Sequence, residues 1–479
     1  MNLHLIIPEL AVVALALLIL LVDLWLPAIH KPKLGFLAAA GLLVILVASF
    51  AGQTAGDPVT AFGGLFVNDG LGLFFRRFFL GAAILVALIA IEFADRIPVG
   101  IAEFHVLLLL SLAGMMFAAS ANDFILVFVA LEIITVSFYV LVGFQRAQAT
   151  SLEAGVKYLI IGGLSAGFLV FGIALLFAAS NKTNFADLAA ATDLAGNHLF
   201  WLGLLLILVG LAFKIAVFPM QMWAPDVYQG APTPVTAFLA VASKAAGFVL
   251  LLRVLFTAVP FITRHWETLF MIIAAVSILY GNLCALPQRS LKRLLGYSSI
   301  AQAGYMMLGV AALNRDGSAA ILYYLLGYLF TLGAAFVVIC IVCRETDDIS
   351  ALAGLDRRSP LLAAAMTMAM VSLAGIPPLA GFAGKLFLLQ SVIEHAALNA
   401  AFYKLAIIAV IGVVISLAYY LGVVRAIYWS KECPDVSPIR ISPLMKLSLG
   451  ICMLGMLYIG LFPAAAINAA TQAVQALKY

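Results

Sequence analysis

One glutamate and four lysines stand where long apolar runs leave little room for charge: Glu132, Lys157, Lys214, Lys244 and Lys385. A charged side chain at mid-bilayer depth is expensive and usually faces a water-filled path or a partner charge. Lys214 sits in the middle of an apolar helix that meets Pro219 five residues later, and Lys244 lies near the middle of the next apolar helix. Lys385 sits a short way past a double proline, Pro377–Pro378. A proline inside a spanning helix frees backbone carbonyls. In lipid, broken backbone survives only where protein or a hydrated cavity satisfies it. A lysine, a break and a second lysine on the neighbouring span therefore point to an ion pathway.

Each residue also has a plainer reading. Glu132, in FILVFVALEIITVSFYVLVGF, could be a hydrogen-bonded glutamate used for packing, but lysines on nearby spans favour an ion pair. Lys157 comes early in its span, where the side chain can snorkel to the interface. Lys214 and Lys244 are too deep to snorkel easily, and the same holds for Lys385. Burial disfavours charged lysine and a carboxylate partner favours it. Several lysines facing one glutamate should thus share fewer protons than sites, as a proton relay requires. Asp226, after the first break, either caps a short helix or sits at the pathway mouth, and capping is the preferred reading. Lys292 and Arg293 read as basic anchors at a cytoplasmic span end.

The elements that must hold these residues follow from composition. The 479-residue chain is 65% hydrophobic and 10% charged, which identifies an all-α polytopic membrane protein. The net charge of +4 gives no reason to invoke nucleic acid. Six histidines form no ligand cluster, and the Cys340–Cys343 pair on an apolar helix reads as packing. Neither a metal nor a cofactor is expected in this chain. No phosphate loop, nucleophile elbow or paired carboxylates for hydrolysis are present. The first apolar run, Leu5 to Leu26, reads as a retained span.

With about 20 residues per span, about fourteen transmembrane helices are placed, starting near residues 5, 33, 72, 103, 123, 154, 198, 233, 268, 294, 318, 360, 402 and 442. The seventh and twelfth should be discontinuous, near Pro219 and near Pro377–Pro378. Gln221 is well placed to satisfy carbonyls freed at the first break. Longer polar connections run from Ala51 to Leu71, Ser180 to His198, Arg344 to Ser359 and Tyr428 to Ser442. Trp25, Trp201, Trp266 and Trp429 fall near span ends, where amphipathic rings favour the interface. Lysines and arginines concentrate in loops after odd-numbered spans, which puts both termini on the non-cytoplasmic side. On that count Arg76, Arg77 and Arg253 belong to the opposite loops. Shifted by 166 residues, Ala130–Gly143 lies over Gly296–Gly309, with Tyr139 on Tyr305, and Tyr158 falls on Tyr324. Two five-helix repeats follow; the odd number makes them inverted, and a proline-interrupted span in each half points to a transport site between them. The single domain 1–479 then divides into three N-terminal helices (1–102), a first repeat (103–256), a second repeat (268–428) and a C-terminal helix (442–479).

The stretches FKIAVFPMQMWAPDVYQGAPTPVTAFLAVASKAAGF, KRLLGYSSIAQAGYMMLGV and LAGIPPLAGFAGKLFLLQ resemble the antiporter-like membrane subunits of proton-pumping NADH:quinone oxidoreductase, respiratory complex I. Relatives in the wider family, including sodium/proton antiporter subunits, usually read Pro-Asp-Ala-His after the first break. Here Pro225, Asp226, Val227 and Tyr228 match the subunit N branch. The resemblance implies a non-redox translocase subunit in the bacterial inner membrane, working with other membrane subunits and, through them, with a peripheral flavin and iron–sulfur arm. It implies that Glu132 pairs with Lys214 directly or through one water. It makes Lys244 the connecting lysine and Lys385 the exit-side lysine of a lateral relay, and gives Lys157 a sixth-span role. Gln221 replaces a usual histidine, so it cannot titrate. A sodium/proton antiporter subunit is the alternative.

Overall fold

A computed structural model describes residues 3–52, 58–97, 99–344, 346–430 and 437–479. Cys433 and Lys431, in the last long connection, lie outside the described residues. The chain forms helices α1 (Ile7–Trp25), α2 (Leu34–Gly52), α3 (Gly70–Phe93), α4 (Ile101–Ala119), α5 (Phe124–Val142) and α6 (Ala149–Ser180). The next are α7 (His198–Ile215), the short α8 (Ala224–Gly230) and α9 (Thr233–Ala258). Then come α10 (Glu267–Ala285), α11 (Leu291–Ala311) and α12 (Arg315–Val342). The chain closes with α13 (Pro360–Ala374), α14 (Ala380–His395), α15 (Ala401–Trp429), α16 (Pro443–Leu461) and α17 (Pro463–Ala473). Among the described residues, 12 helices are long and apolar enough to cross a membrane. The span expected near residue 294 is present as α11, which is too polar to count among them, and the span expected near 360 is divided into α13 and α14. An antiparallel hairpin, β1 (Val59–Ala61) with β2 (Phe66–Asn68), occupies the connection before α3, where no regular structure was expected.

Helix starts follow local side chains that accept from unpaired N–H groups. Asp69 caps α3, Asp123 caps α5, Asn197 caps α7 and Asn314 caps α12. α9 is buried throughout, while only about a third or less of α1, α2 and α6 is buried. α9 carries two π-helical turns, Leu239–Ser243 just before Lys244 and Val254–Ala258 just after Arg253. α6 and α7 touch backbone to backbone at Gly172 and Gly203: a Cβ on Gly172 would lie 2.6 Å from the Gly203 carbonyl oxygen. Small residues that allow such approach are the usual means of packing helices in lipid.

Two arginines counted in loops are instead deep in the protein. Arg76 Nε lies 2.9 Å from Glu9 Oε1, and both side chains are buried. Arg253 donates from Nη1 and Nη2 to the two oxygens of Asp69 at 2.9 and 2.7 Å, and from Nε to the Ala119 carbonyl at 2.7 Å. Linear spacing placed these groups at span ends; the helix packing closes over those ends and pairs opposite charges, as burial demands. The tryptophans divide likewise. Trp25 and Trp429 are exposed, whereas Trp201 and Trp266 pack on each other with ring centroids 5.3 Å apart.

Candidate functional site

Both expected breaks are present, and both close the same way. α7 stops at Ile215 with Ala216 in the left-handed region (φ +60°), and Val217 N–H donates back to the Ala212 carbonyl at 3.1 Å. α13 stops at Ala374 with Gly375 at φ +82°, and Ile376 N–H donates to the Val371 carbonyl at 3.1 Å. A left-handed residue followed by a six-to-one hydrogen bond is how a helix ends while satisfying its last carbonyls. The chain resumes as α8 and α14.

At the first break Trp223 Nε1 donates to the Phe213 carbonyl at 3.1 Å. This role was expected of Gln221, but the donor at the open carbonyl is the indole; the Gln221 Oε1, which can only accept, is buried with no hydrogen-bond partner among the described residues. The turn spends the Gln221 carbonyl on starting α8, accepting from Ala224 N–H at 3.1 Å, and brings the indole to the helix end instead. At the second break the lysine itself does this work. Lys385 Nζ donates to the carbonyls of Leu373 (2.7 Å) and Ala374 (3.4 Å), and it also lies 4.6 Å from the Tyr305 ring centre. A cation is favourable at the carbonyl end of a helix. Lys214, in the last turn of α7, sits at the corresponding end of the other broken span.

Lys214 is 3% exposed and donates to Thr135 Oγ1 at 3.0 Å. Thr135 in turn donates to the Leu131 carbonyl at 2.6 Å, which leaves its oxygen free to accept from the ammonium. Glu132 is one turn away on α5 and half-buried. Of the two forms expected for the Glu132–Lys214 pair, direct contact is not the one observed. Both residues line one cavity, with Thr135, Ser165 and Gly210, that leaves about 20 Å³ for water. That is room for one molecule. Lys244 is 1% exposed and donates to Ser299 through both its carbonyl and its hydroxyl, each at 2.5 Å. Gly247, one turn beyond Lys244, packs α9 so closely on α7 that a Cβ there would lie 3.3 Å from Lys214 Cβ. The structure thus brings Lys214 and Lys244 onto adjoining turns of packed helices.

Lys157 is not brought to this group. Its side chain is 40% exposed, and its ammonium binds Asp226 (2.7 Å) and Glu153 (2.6 Å). Asp226 also takes Arg293 Nη1 at 2.5 Å. Glu153, Lys157, Asp226, Gln229 and Arg293 line a polar pocket of about 310 Å³. Asp226 therefore does not cap α8, because two cations hold its carboxylate outward. Arg293 and Lys292 are clamps on α8 as well as span-end cations; Lys292 Nζ donates to the Ala231 carbonyl at 2.9 Å. Exposed ion pairs contribute at most about 1 kcal/mol. Lys157→Ala is accordingly expected to assemble and to keep coupled turnover within about a factor of five of the native rate. Side-by-side assay with Lys214→Ala checks this, since equal losses would place Lys157 in the path after all.

Sequence reasoning missed Thr135, Trp223, Ser299 and Gln302. Only the last two left a signal: Ser298, Ser299 and Gln302 make α11 unusually polar for a buried helix. Tyr139 and Tyr158 stand out in the sequence only as repeat markers. Their rings are 5.6 Å apart and their hydroxyls are buried without hydrogen-bond partners among the described residues, a setting that suits bound water.

The model of the NADH:quinone oxidoreductase/Mrp antiporter transmembrane family matches residues 121–416, which contain every residue of this site. NADH-quinone oxidoreductase subunit N of Moorella thermoacetica is 38% identical over 98% of this chain and 97% of its own length. The chain belongs to the subunit N family. The chloroplastic NAD(P)H-quinone oxidoreductase subunit 2 of Chlorokybus atmophyticus is also 38% identical, over 99% of this chain and 95% of its own. A chain of respiratory complex I from Thermus thermophilus superposes with a TM-score of 0.81 at 32% identity, covering 96% of this chain and 99% of that one. A chain of the Mrp complex from a Dietzia species shares the fold (TM-score 0.82) at 21% identity. Subunit N membership agrees with the Pro225-Asp226-Val227-Tyr228 reading of the first break, and with a multi-pass membrane protein.

Proposed function

We propose that this chain moves protons across a bacterial inner membrane as a non-redox subunit of an NADH:quinone oxidoreductase, while quinone reduction occurs elsewhere in the assembly. Other membrane subunits and, through them, a flavin and iron–sulfur arm are its partners. One observation carries the reading: Lys214, Lys244 and Lys385 are all buried, and among the described residues their hydrogen bonds go to neutral oxygens, those of Thr135, Ser299, Leu373 and Ala374. A buried ammonium with a carboxylate in contact is pinned. One held by hydroxyls and carbonyls can lose and regain its proton at smaller cost. Protons pass laterally from Lys214 through Lys244 toward Lys385, and Glu132 sets the occupancy of the first site. Distances beyond hydrogen-bond reach are crossed by water.

Lys244→Ala and Lys385→Ala, each in the assembled complex in sealed vesicles, test this. Protons transferred and quinone reduced are measured together. The expected result is fewer protons per quinone or a matching loss of both rates, with Lys385→Arg retaining more than Lys385→Ala. Unchanged stoichiometry and rate in both alanine variants would remove the relay from this subunit.

A further inference from the structure

The SSIAQAGY run of α11 contacts Lys244 at one residue and the seat of Lys385 at another, so two polar groups of side chains meet on adjacent residues, Ser299 and Ser298. Ser299 accepts from Lys244 and also shares a hydrogen bond with Tyr228, hydroxyl to hydroxyl, at 2.9 Å. Ser298 Oγ is 2.5 Å from the Tyr420 hydroxyl. One turn on, Gln302 Nε2 donates to the Tyr420 hydroxyl at 3.0 Å and to the Leu373 carbonyl at 3.2 Å. That carbonyl is the one that accepts from Lys385. Gln302 Oε1 accepts from the Tyr324 hydroxyl at 2.5 Å. Ser298, Ser299, Gln302 and Tyr420 are all at most 1% exposed.

The direction of every bond around Gln302 is decided by chemistry. The Leu373 carbonyl can only accept, so the amide nitrogen must face it and the amide oxygen must face Tyr324. Tyr420 then accepts from Gln302, and its own proton is free to turn toward Ser298, on the Lys244 side. Tyr324 is committed as a donor to Gln302. An amide neither releases nor takes up a proton at neutral pH, so this polarity does not reverse by titration.

We propose that Gln302 is the positioning residue of the stretch between Lys244 and Lys385: it holds the Leu373 carbonyl that seats Lys385 and orients the Tyr420 and Tyr324 hydroxyls. This rests on the relay reading above and adds to it a residue that never carries the proton. The amide acts through its neighbours, and its loss leaves the seat of Lys385 with one donor fewer and Tyr420 without a fixed orientation.

The test compares Gln302→Met and Gln302→Glu in the assembled complex, in sealed vesicles, across pH. Methionine keeps the volume and removes the three hydrogen bonds that Gln302 makes; it should lower coupled turnover at least about tenfold, since even one net buried hydrogen bond is worth about that much. Glutamate keeps a donor and an acceptor while protonated, so turnover should approach the native rate at low pH. As pH rises the carboxylate becomes acceptor-only and can no longer donate to Leu373 or Tyr420. The Gln302→Glu profile should therefore fall on its alkaline side relative to the native one. A purely packing role predicts a Gln302→Glu profile parallel to the native curve, and that result overturns the proposal, as does native rate and stoichiometry in Gln302→Met. If Gln302→Met fails to assemble, the Gln302→Glu profile decides alone. Lys244→Ala and Lys385→Ala run alongside separate the two ideas. If these pump normally, the relay reading fails; if they do not and both Gln302 variants behave as native, only the role of Gln302 fails.

Discussion

Glu132→Gln should lower coupled quinone reduction and proton transfer by roughly 10- to 100-fold, while Glu132→Asp loses far less. The carboxylate and Lys214 share a cavity with room for one water and do not touch. Thr135 is the ammonium's direct partner, so the carboxylate is expected to act on it as a charge at a distance, with room for a water between them. Glutamine has almost the same shape as glutamate, so it removes the charge and little else. A hydrogen bond to a charged group is worth about 1.5–3 kcal/mol, which converts to a factor of roughly 10 to 100 in rate. Aspartate retracts the charge by one methylene, a distance that water can fill. Rates and proton counts in the assembled complex decide the matter. Glutamine and aspartate variants that lose equally would mean that shape rather than charge is what this position supplies.

Gly381→Ala should prevent stable incorporation of the subunit. Gly381 is the second residue of α14, where the chain re-enters the bundle after the double proline. An added Cβ would lie 1.9 Å from the Ser372 carbonyl oxygen, and that oxygen belongs to the backbone of α13, so it cannot swing aside. Gly381 N–H also donates to Ser372 Oγ at 3.3 Å. Overpacking in a well-filled core costs typically 1–3 kcal/mol, and a backbone clash this severe should exceed about 3 kcal/mol. The same shift would carry Lys385, four residues on, away from the carbonyls of Leu373 and Ala374. Subunit content of purified membranes and the thermal midpoint of the complex report the effect. A normally assembled, fully coupled Gly381→Ala complex would show that the joint between α13 and α14 is looser than its geometry implies.

The chain's class, its helices, the two breaks and the identity of the buried lysines were legible without coordinates. Each rests on a cost that depends on one residue and its near neighbours. A polar backbone in lipid must be helical, a proline removes a donor wherever it stands, and a lysine far from a span end cannot snorkel to the interface. The resemblance to subunit N was legible for the same reason, since its motifs are continuous stretches.

Partnerships were not legible, because they join residues far apart in the chain. Hydropathy placed Arg76 and Arg253 in loops; packing of α1, α3 and α9 buried them against Glu9 and Asp69. Asp226 had a capping position by sequence, but α6 and α11 bring two cations to it. Gln221 stood closer to the break than Trp223 by count, yet the turn aims the indole at the open carbonyl. The sequence alone determined which groups must find a partner, because an unmet charge or carbonyl is costly wherever water cannot reach it, and the long apolar runs say where that is. Only the tertiary structure decided which partner each one found, because that depends on which helix faces pack together: Thr135 for Lys214, Ser299 for Lys244, and for Lys385 the carbonyl end of α13.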